Sequence, residues 1–426
     1  MFAKCKQIFN PENKDLRKRI YFTLLVLFIF KLGTTIIVPG IDKDALGTSS
    51  LGFLELLNVM GGGALEQFSI FALGVSPYIS ASIIVSLLQM DIIPYFSELG
   101  KQGQTGRAKL NQITRYLGIV LAFIQGYIYS FTFIQGGTVM EYMTYALILT
   151  AGTALVLWMA DQITQRGIGN GTSMIIMAGI IATLPNMFFS LWNELVITTT
   201  MQTTFLGVSK FLLFVLLYIA ILVGIVFIET SERRIPIQYA NKSASVYGKG
   251  KSYIPFKLNS ASVMPVIFAS ILLSIPTIIA KVAKNDVMTL FINKWLTTST
   301  ITGFIIYIIA IFIFAYFYTF LQMKPKELAE NLNKNGGFIP GIRPGDETED
   351  YIKKVLKRIT TIGALSLAFI AGIPILFGAV SNLSTSVSIG GTGLLIVVGV
   401  ALETYKQLES ELVTKNYQSR RRGRRR

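Results

Sequence analysis

The sequence predicts an all-α integral membrane protein. Ten transmembrane helices form two inverted five-helix halves around a central pathway, with one short re-entrant segment. Three observations lead there. Of 426 residues, 52% are hydrophobic and only 15% charged, and mean hydropathy is +0.56. Apolar runs close to the ~20 residues that cross a bilayer as a helix recur along the chain. The basic residues crowd into alternate connections between those runs. A closed barrel is excluded, because barrel strands alternate apolar and polar residues. Segments 21–29 and 211–228 are apolar nearly throughout. Within lipid such segments satisfy their own backbone hydrogen bonds by becoming helices.

The first helix, 20–39, follows Arg17, Lys18 and Arg19. Its run shows no small-residue cleavage site and reads as a retained membrane helix rather than a removed signal. The second, 72–90, is preceded by a short apolar piece, 53–60, that breaks at Gly61, Gly62 and Gly63. That piece is too short to span. It is either an amphipathic helix on the outer surface or a segment surrounded by protein or water. The third helix, 114–134, follows Lys101, Arg107, Lys109 and Arg115. The fourth and fifth, 142–161 and 172–189, are joined by ITQRGIGNGTSMII (163–176), whose glycines mark a tight turn or a close backbone approach. The sixth, 208–229, ends before Arg233 and Arg234. The seventh and eighth, 261–281 and 302–321, precede a long basic loop. The ninth and tenth, 358–378 and 387–405, complete the set.

Most of the 39 basic residues fall in the N-terminal segment, the connection after the second helix, the Arg166 turn, the loops after the sixth and eighth helices, and the tail. The opposite side keeps Lys43, Lys210, Lys281, Lys284 and Lys294, while Lys31 lies inside the first helix. The positive-inside rule therefore places both termini in the cytoplasm, which requires an even number of crossings. The expected divisions are a cytoplasmic segment 1–19, a first half 20–189, an external hinge loop 190–207, a second half 208–405 with cytoplasmic loops 230–258 and 322–357, and a basic tail 406–426. Five helices per half force the halves to run in opposite senses, an arrangement common in membrane conduits. The net charge of +16 follows largely from loop retention. The tail of Arg420 to Arg426 either is solvated or touches anionic lipid or ribosomal RNA.

The chain has no histidine, and Cys5 is its only cysteine. This excludes internal disulfides, histidine acid–base chemistry and most transition-metal sites. No Walker-type loop is present. No catalytic residue, metal or cofactor is expected. A small-solute transporter shares the helix count, but usually carries carboxylates near the midplane. Here Asp161, Glu229 and Glu403 lie near predicted helix ends and Glu141 at an edge.

Several stretches, in order, are spread along most of the chain: VPGID (38–42), FALGVSPYISASIIVSLL (71–88), the 163–176 turn, ERRIPIQYA (232–240), NSASVMPVIFA (259–269), GGFIPGIRPG (336–345) and GGTGLLIVV (390–398). Together they resemble the SecY family of bacterial protein-conducting channels. The resemblance implies a pore passing unfolded secretory chains across the plasma membrane and releasing membrane segments sideways into lipid. It places a pore ring on Ile79, Ile83, Ile176, Ile180, Ile267 and Ile396. It makes the broken segment with Phe53, Leu54, Leu57, Met60, Gly61, Gly62 and Gly63 a plug. Gln125 and Asn259 match polar positions of a lateral gate, and Arg233, Arg234 and Arg343 match docking points for the SecA motor or a ribosome. SecE, SecG and SecA are the implied partners, with ATP hydrolysed by SecA. Branched aliphatic side chains offer ions no ligands, and a narrow apolar waist resists leak. Ile79/Ile83 and Ile176/Ile180 are i, i+4 pairs that share a helix face, although isoleucine is so common here that spacing alone also fits ordinary packing. Basic loops likewise fit plain retention, except for the proline–glycine frame around Arg343, which calls for a defined turn. Lys31 and Ile37 stand where the family commonly shows arginine and proline, and SVMP where it shows GVIP.

Overall fold

The computed structural model describes residues 14–41, 54–89, 93–134, 136–197, 204–239, 252–283, 286–296, 300–381 and 385–423. Its elements, in order, are α1 (Lys14–Thr34), α2 (Leu54–Met60), α3 (Ser76–Leu88), α4 (Pro94–Lys101), α5 (Gly103–Phe133), α6 (Val139–Arg166) and α7 (Gly171–Trp192), continued by a π turn (Asn193–Ile197). Then come α8 (Thr204–Thr230), β1 (Glu232–Tyr239), β2 (Ser252–Lys257), α9 (Met264–Ala283), α10 (Asp286–Trp295), α11 (Ile301–Met323), α12 (Pro325–Lys334), β3 (Gly337–Phe338), α13 (Asp346–Ser381) and α14 (Thr385–Gly423). A helix covers the larger part of each of the ten expected segments. Among the described residues, α5, α6, α7, α8, α11 and α13 are long and apolar enough to cross a membrane, and α3 and α9 are shorter apolar helices.

Several limits differ from expectation, each for a local reason. The second helix begins at Ser76 rather than near 72. Before it, residues 61–75 form successive turns, and Ile37 bridges Ser69, with Val38 N–H donating to the Phe68 carbonyl and Ile70 N–H to the Ile36 carbonyl. Pro77 then opens α3 in its first turn, where a missing N–H costs nothing. The external loop after the fifth helix is shorter than expected, since α7 and its π turn run to Ile197. The last helix continues to Gly423, so the basic tail extends a helix instead of leaving it.

The two long basic loops are not simple connections. The first contains β1 and β2, antiparallel with Glu232 opposite Lys257 and Ile237 opposite Ser252. The second supplies β3, which pairs with the far end of β1 through Gln238 and Phe338. The sheet order is β2-β1-β3. Ile235, Ile237 and Phe256 of the sheet bury against Leu332 of α12, Ile339, and Ile352 and Leu356 of α13. Both loops thus share one small core apart from the main one.

In the membrane-spanning region, helices lack a hydrophobic drive toward each other and pack where small residues let backbones approach. The 163–176 turn shows this. Asn170 caps α7, its Oδ1 accepting from the Thr172 N–H at 3.1 Å, and Gly169 adopts φ +82°. A Cβ on Gly171 would strike the Ala160 carbonyl of α6. Ile168 is buried with Leu16 of α1 and Leu412 of α14, and its N–H donates to Thr23 Oγ1 at 3.1 Å. The turn therefore clamps four helices. Arg19 of α1 and Glu411 of α14 pair at 3.3 Å beside it, and Arg115 joins α5 to Asp161 of α6 at 2.7 Å.

Gly171→Val should force α7 off α6 and lower stability by about 1–3 kcal/mol, the usual range for overpacking. Thermal melting of the detergent-solubilised protein measures this, and a melting point equal to that of the parent would refute the contact.

Candidate functional site: a closed apolar waist

Four helices, two from each expected half, meet at the centre. Between α3, α7, α9 and α14 lies a cavity of about 50 Å³. Ile79, Ile176, Ile267 and Ile396 line it, one from each helix, with Val263, Phe268 and Val400 beside them. All four isoleucines are buried. Its polar margin, Ser82, Thr172 and Ser173, includes the start of α7, the end that adjoins the basic turn. Apolar side chains make up most of its lining, so it offers water few partners.

The other two expected ring members lie elsewhere. Ile180 is fully buried one turn further along α7. There its Cγ2 lies 3.0 Å from where a Cβ on Gly393 of α14 would sit, with Val59 of α2 close by at 3.9 Å. Ile83 is half-buried and packs against the main core without lining the cavity.

The broken segment caps this assembly. α2 ends at Met60, and its three glycines turn the chain with Gly62 at φ +75° and Gly63 at φ +82°. Gly179 of α7 is what lets it approach. A Cβ there would collide with the Met60 carbonyl and lie 2.9 Å from the Gly62 nitrogen. Leu57, Met60, Gly61 and Gly62 are buried, and Gly63 is half-buried. Leu54 starts the helix, while Phe53 lies outside the described residues. Asn58 stiffens the segment, its Oδ1 accepting from Glu66 N–H at 3.1 Å and its Nδ2 donating to Glu66 Oε2 at 3.4 Å. Beyond α2 opens a second, polar cavity of about 470 Å³, lined by Lys31, Asn58, Glu66, Thr183, Asn186 and Ser190, among others. Along the axis stand an apolar waist, a short helix and a polar vestibule.

Gln125 and Asn259, expected as polar positions of a lateral gate, have different surroundings. Asn259 is buried, and its Nδ2 donates to Glu229 Oε1 of α8 at 2.7 Å and to the Ser262 carbonyl at 3.0 Å. Its partner therefore belongs to its own half. The Gln125 Oε1 is buried without a hydrogen-bond partner among the described residues. Among the described residues the contact between α9 and the first half is slight, mainly with α5 and α3. Sequence reasoning missed Glu229 as a partner, having counted it only as a carboxylate near a helix end.

Arg233, Arg234 and Arg343 sit on one body, because β3 leads from the second loop onto β1. Arg234 is exposed, pairs with Glu232 at 2.7 Å and lies 4.8 Å from the Tyr253 ring centre. The hydrogen bond to Glu232 holds its guanidinium above even the usual arginine range. Arg343 is 87% exposed. Its backbone is fixed by Thr348 Oγ1 donating to its carbonyl at 2.8 Å and by Gly341 and Gly345 at positive φ.

A helical membrane protein whose two expected halves meet at an apolar cavity, with a short helix packed over it, is the class that this geometry defines. Residues 69–405 match the SecY family. The protein translocase subunit SecY of Bacillus subtilis (strain 168) is 46% identical over 414 residues, covering 95% of this chain and 96% of that protein. Among solved structures, a SecY channel whose plug domain is described as stabilising the closed state superposes with a TM-score of 0.68 at 17% identity, covering 94% of this chain and 93% of that one. Canine Sec61 in a ribosome–channel complex from the endoplasmic reticulum gives 0.66 at 18% identity, with the same coverage. The chain belongs to the SecY family and is a multi-pass membrane protein.

Asn259→Leu should lower stability by about 2 kcal/mol, because a buried carboxylate loses a charge-assisted hydrogen bond. Glu229→Gln in the same chain should recover part of that loss. A double-mutant cycle in detergent measures the coupling, and strictly additive effects would contradict it.

Proposed function

We propose that this chain is the channel subunit of a bacterial protein translocase. It threads unfolded secretory polypeptides across the plasma membrane and releases membrane segments sideways into lipid. It crosses ten times with both termini in the cytoplasm. The observation that carries this reading is the series of apolar waist, short helix and polar vestibule on one axis. In the closed state Ile79, Ile176, Ile267 and Ile396 hold the barrier, with Ile180 and Ile83 joining as the helices part. The segment from Phe53 to Gly63 is the plug. The helices give way between α3 and α5 on one side and α9 on the other, where contact is slight and the Gln125 carbonyl is unpartnered among the described residues. Asn259 fixes the start of α9 through Glu229, so α9 moves with its own half.

The channel itself is passive. SecA hydrolysing ATP, or a translating ribosome, supplies the work. Arg233, Arg234 and Arg343 present these partners with a rigid basic surface on the loop body. That the canine relative is solved in a ribosome–channel complex supports this docking face. SecE holds the two halves together and SecG completes the complex.

Two outcomes test the reading. Ile79→Asn and Ile396→Asn should wet the waist, raise ion leak in proteoliposomes and admit preproteins with defective signals. Unchanged leak and unchanged signal stringency would count against it. Arg343→Glu should cut SecA-driven export by about tenfold or more, as reversing a central charged contact does. The variant should insert normally, and full export by it would remove the docking assignment.

A further inference from the structure

The geometry points to Lys31 as the residue that latches the plug shut, tying the last turn of α1 to the glycine turn behind α2. The inference rests on the plug reading above and adds a residue that holds the plug in place.

Lys31 sits in the last turn of α1 and lines the polar vestibule. Among the residues lining the polar vestibule, only Lys31 and Glu66 are charged. A lysine in the last turn of a helix ordinarily complements that helix's own carbonyl ends. Here its Nζ instead donates to the Gly62 carbonyl at 3.1 Å, 31 residues away. The carbonyls at the end of α2 are already engaged. Leu57 accepts from the Gly61 N–H, Asn58 from Gly63 and Val59 from Gly62. Gly62 is left-handed at φ +75°, and its own carbonyl is the group that the ammonium takes.

This bond differs in kind from the other contacts of α2. Leu57 and Met60 bury apolar surface, which is non-directional. Asn58 and Glu66 bind each other, stiffening residues 58–66 into one body without tying that body to the channel wall. The Lys31 bond ties it to α1, and it is charge-assisted, hence stronger than a neutral hydrogen bond. When a polypeptide displaces the plug, the ammonium is released into the polar vestibule, where water is at hand. The latch therefore breaks without leaving a buried charge, as a reversible closure requires. Arginine in this place would serve the same purpose; an apolar side chain would not.

The test reads plug release directly and needs no translocation, so its failure is distinct from failure of the channel reading. The full chain, in its complex and in nanodiscs open to reagent on both faces, carries Cys5→Ser and one reporter thiol. One reporter is Leu57→Cys on α2, whose side chain is buried and does not line the vestibule. The other is Ser190→Cys, which lines the same vestibule from α7. Maleimide labelling is timed with Lys31 intact and with Lys31→Met or Lys31→Arg. Lys31→Met should speed labelling of the Leu57→Cys thiol about tenfold, the scale set by loss of one charge-assisted hydrogen bond. Lys31→Arg should keep the slow rate, and the Ser190→Cys thiol should react alike in all three. Unchanged labelling with Lys31→Met overturns the latch, and so does equal acceleration by methionine and arginine. Acceleration at both reporters overturns it too, since that signals general loosening.

Discussion

Apolar contact among four isoleucines from four helices is the constraint on which the rest of this structure depends. A conduit wide enough for an unfolded chain endangers the membrane unless it closes against ions when idle. Side chains with hydrogen-bonding groups at the waist would hold water and pass ions. Branched aliphatic side chains leave a space of about 50 Å³ between them that water does not gain by entering. The same chemistry permits opening, because apolar packing has no fixed partner and re-forms around whatever passes.

Closure by side chains from both halves explains much else. The halves must stay in register, and the 163–176 turn provides this by packing α6, α7, α1 and α14 together through Gly171, Thr23, Ile168 and Leu412. The short helix must come close enough to cover the waist, and Gly179 admits its backbone where any side chain would block it. The start of α9 is rooted in its own half by the Asn259–Glu229 bond and by the sheet of the loop body. Strength is concentrated within each half and at the basic ends, and contact is slight between α9 and the first half.

The helical architecture was legible because lipid leaves the backbone few options, so runs such as 211–228 admit one reading. The three-stranded sheet was not read, although period-two alternation in RIPIQ is present, because these loops were read only for charge. Four of the six ring isoleucines line one cavity, and motif order rather than periodicity singled them out. Ile83 shares its expected face with Ile79 yet misses the cavity. A step of four residues still rotates by about 40° beyond a full turn, and the waist is only about one turn tall. Asn259 was recognised as polar and important, but its partner stands 30 residues away, and only tertiary packing reveals such a pairing. Lys31 read as a departure within the family and proves to hold the Gly62 carbonyl.

The most direct measurement places a photocrosslinker-bearing stalled secretory chain in the assembled channel. Single thiols are introduced one at a time at Ile79, Ile176, Ile267 and Ile396, with Leu216 on the exposed face of α8 as the lipid-side control and Cys5→Ser throughout. The account predicts that the stalled chain crosslinks to all four waist positions and leaves the Leu216 position unmarked. A chain that reaches none of the four, or marks the Leu216 position as readily, would contradict it.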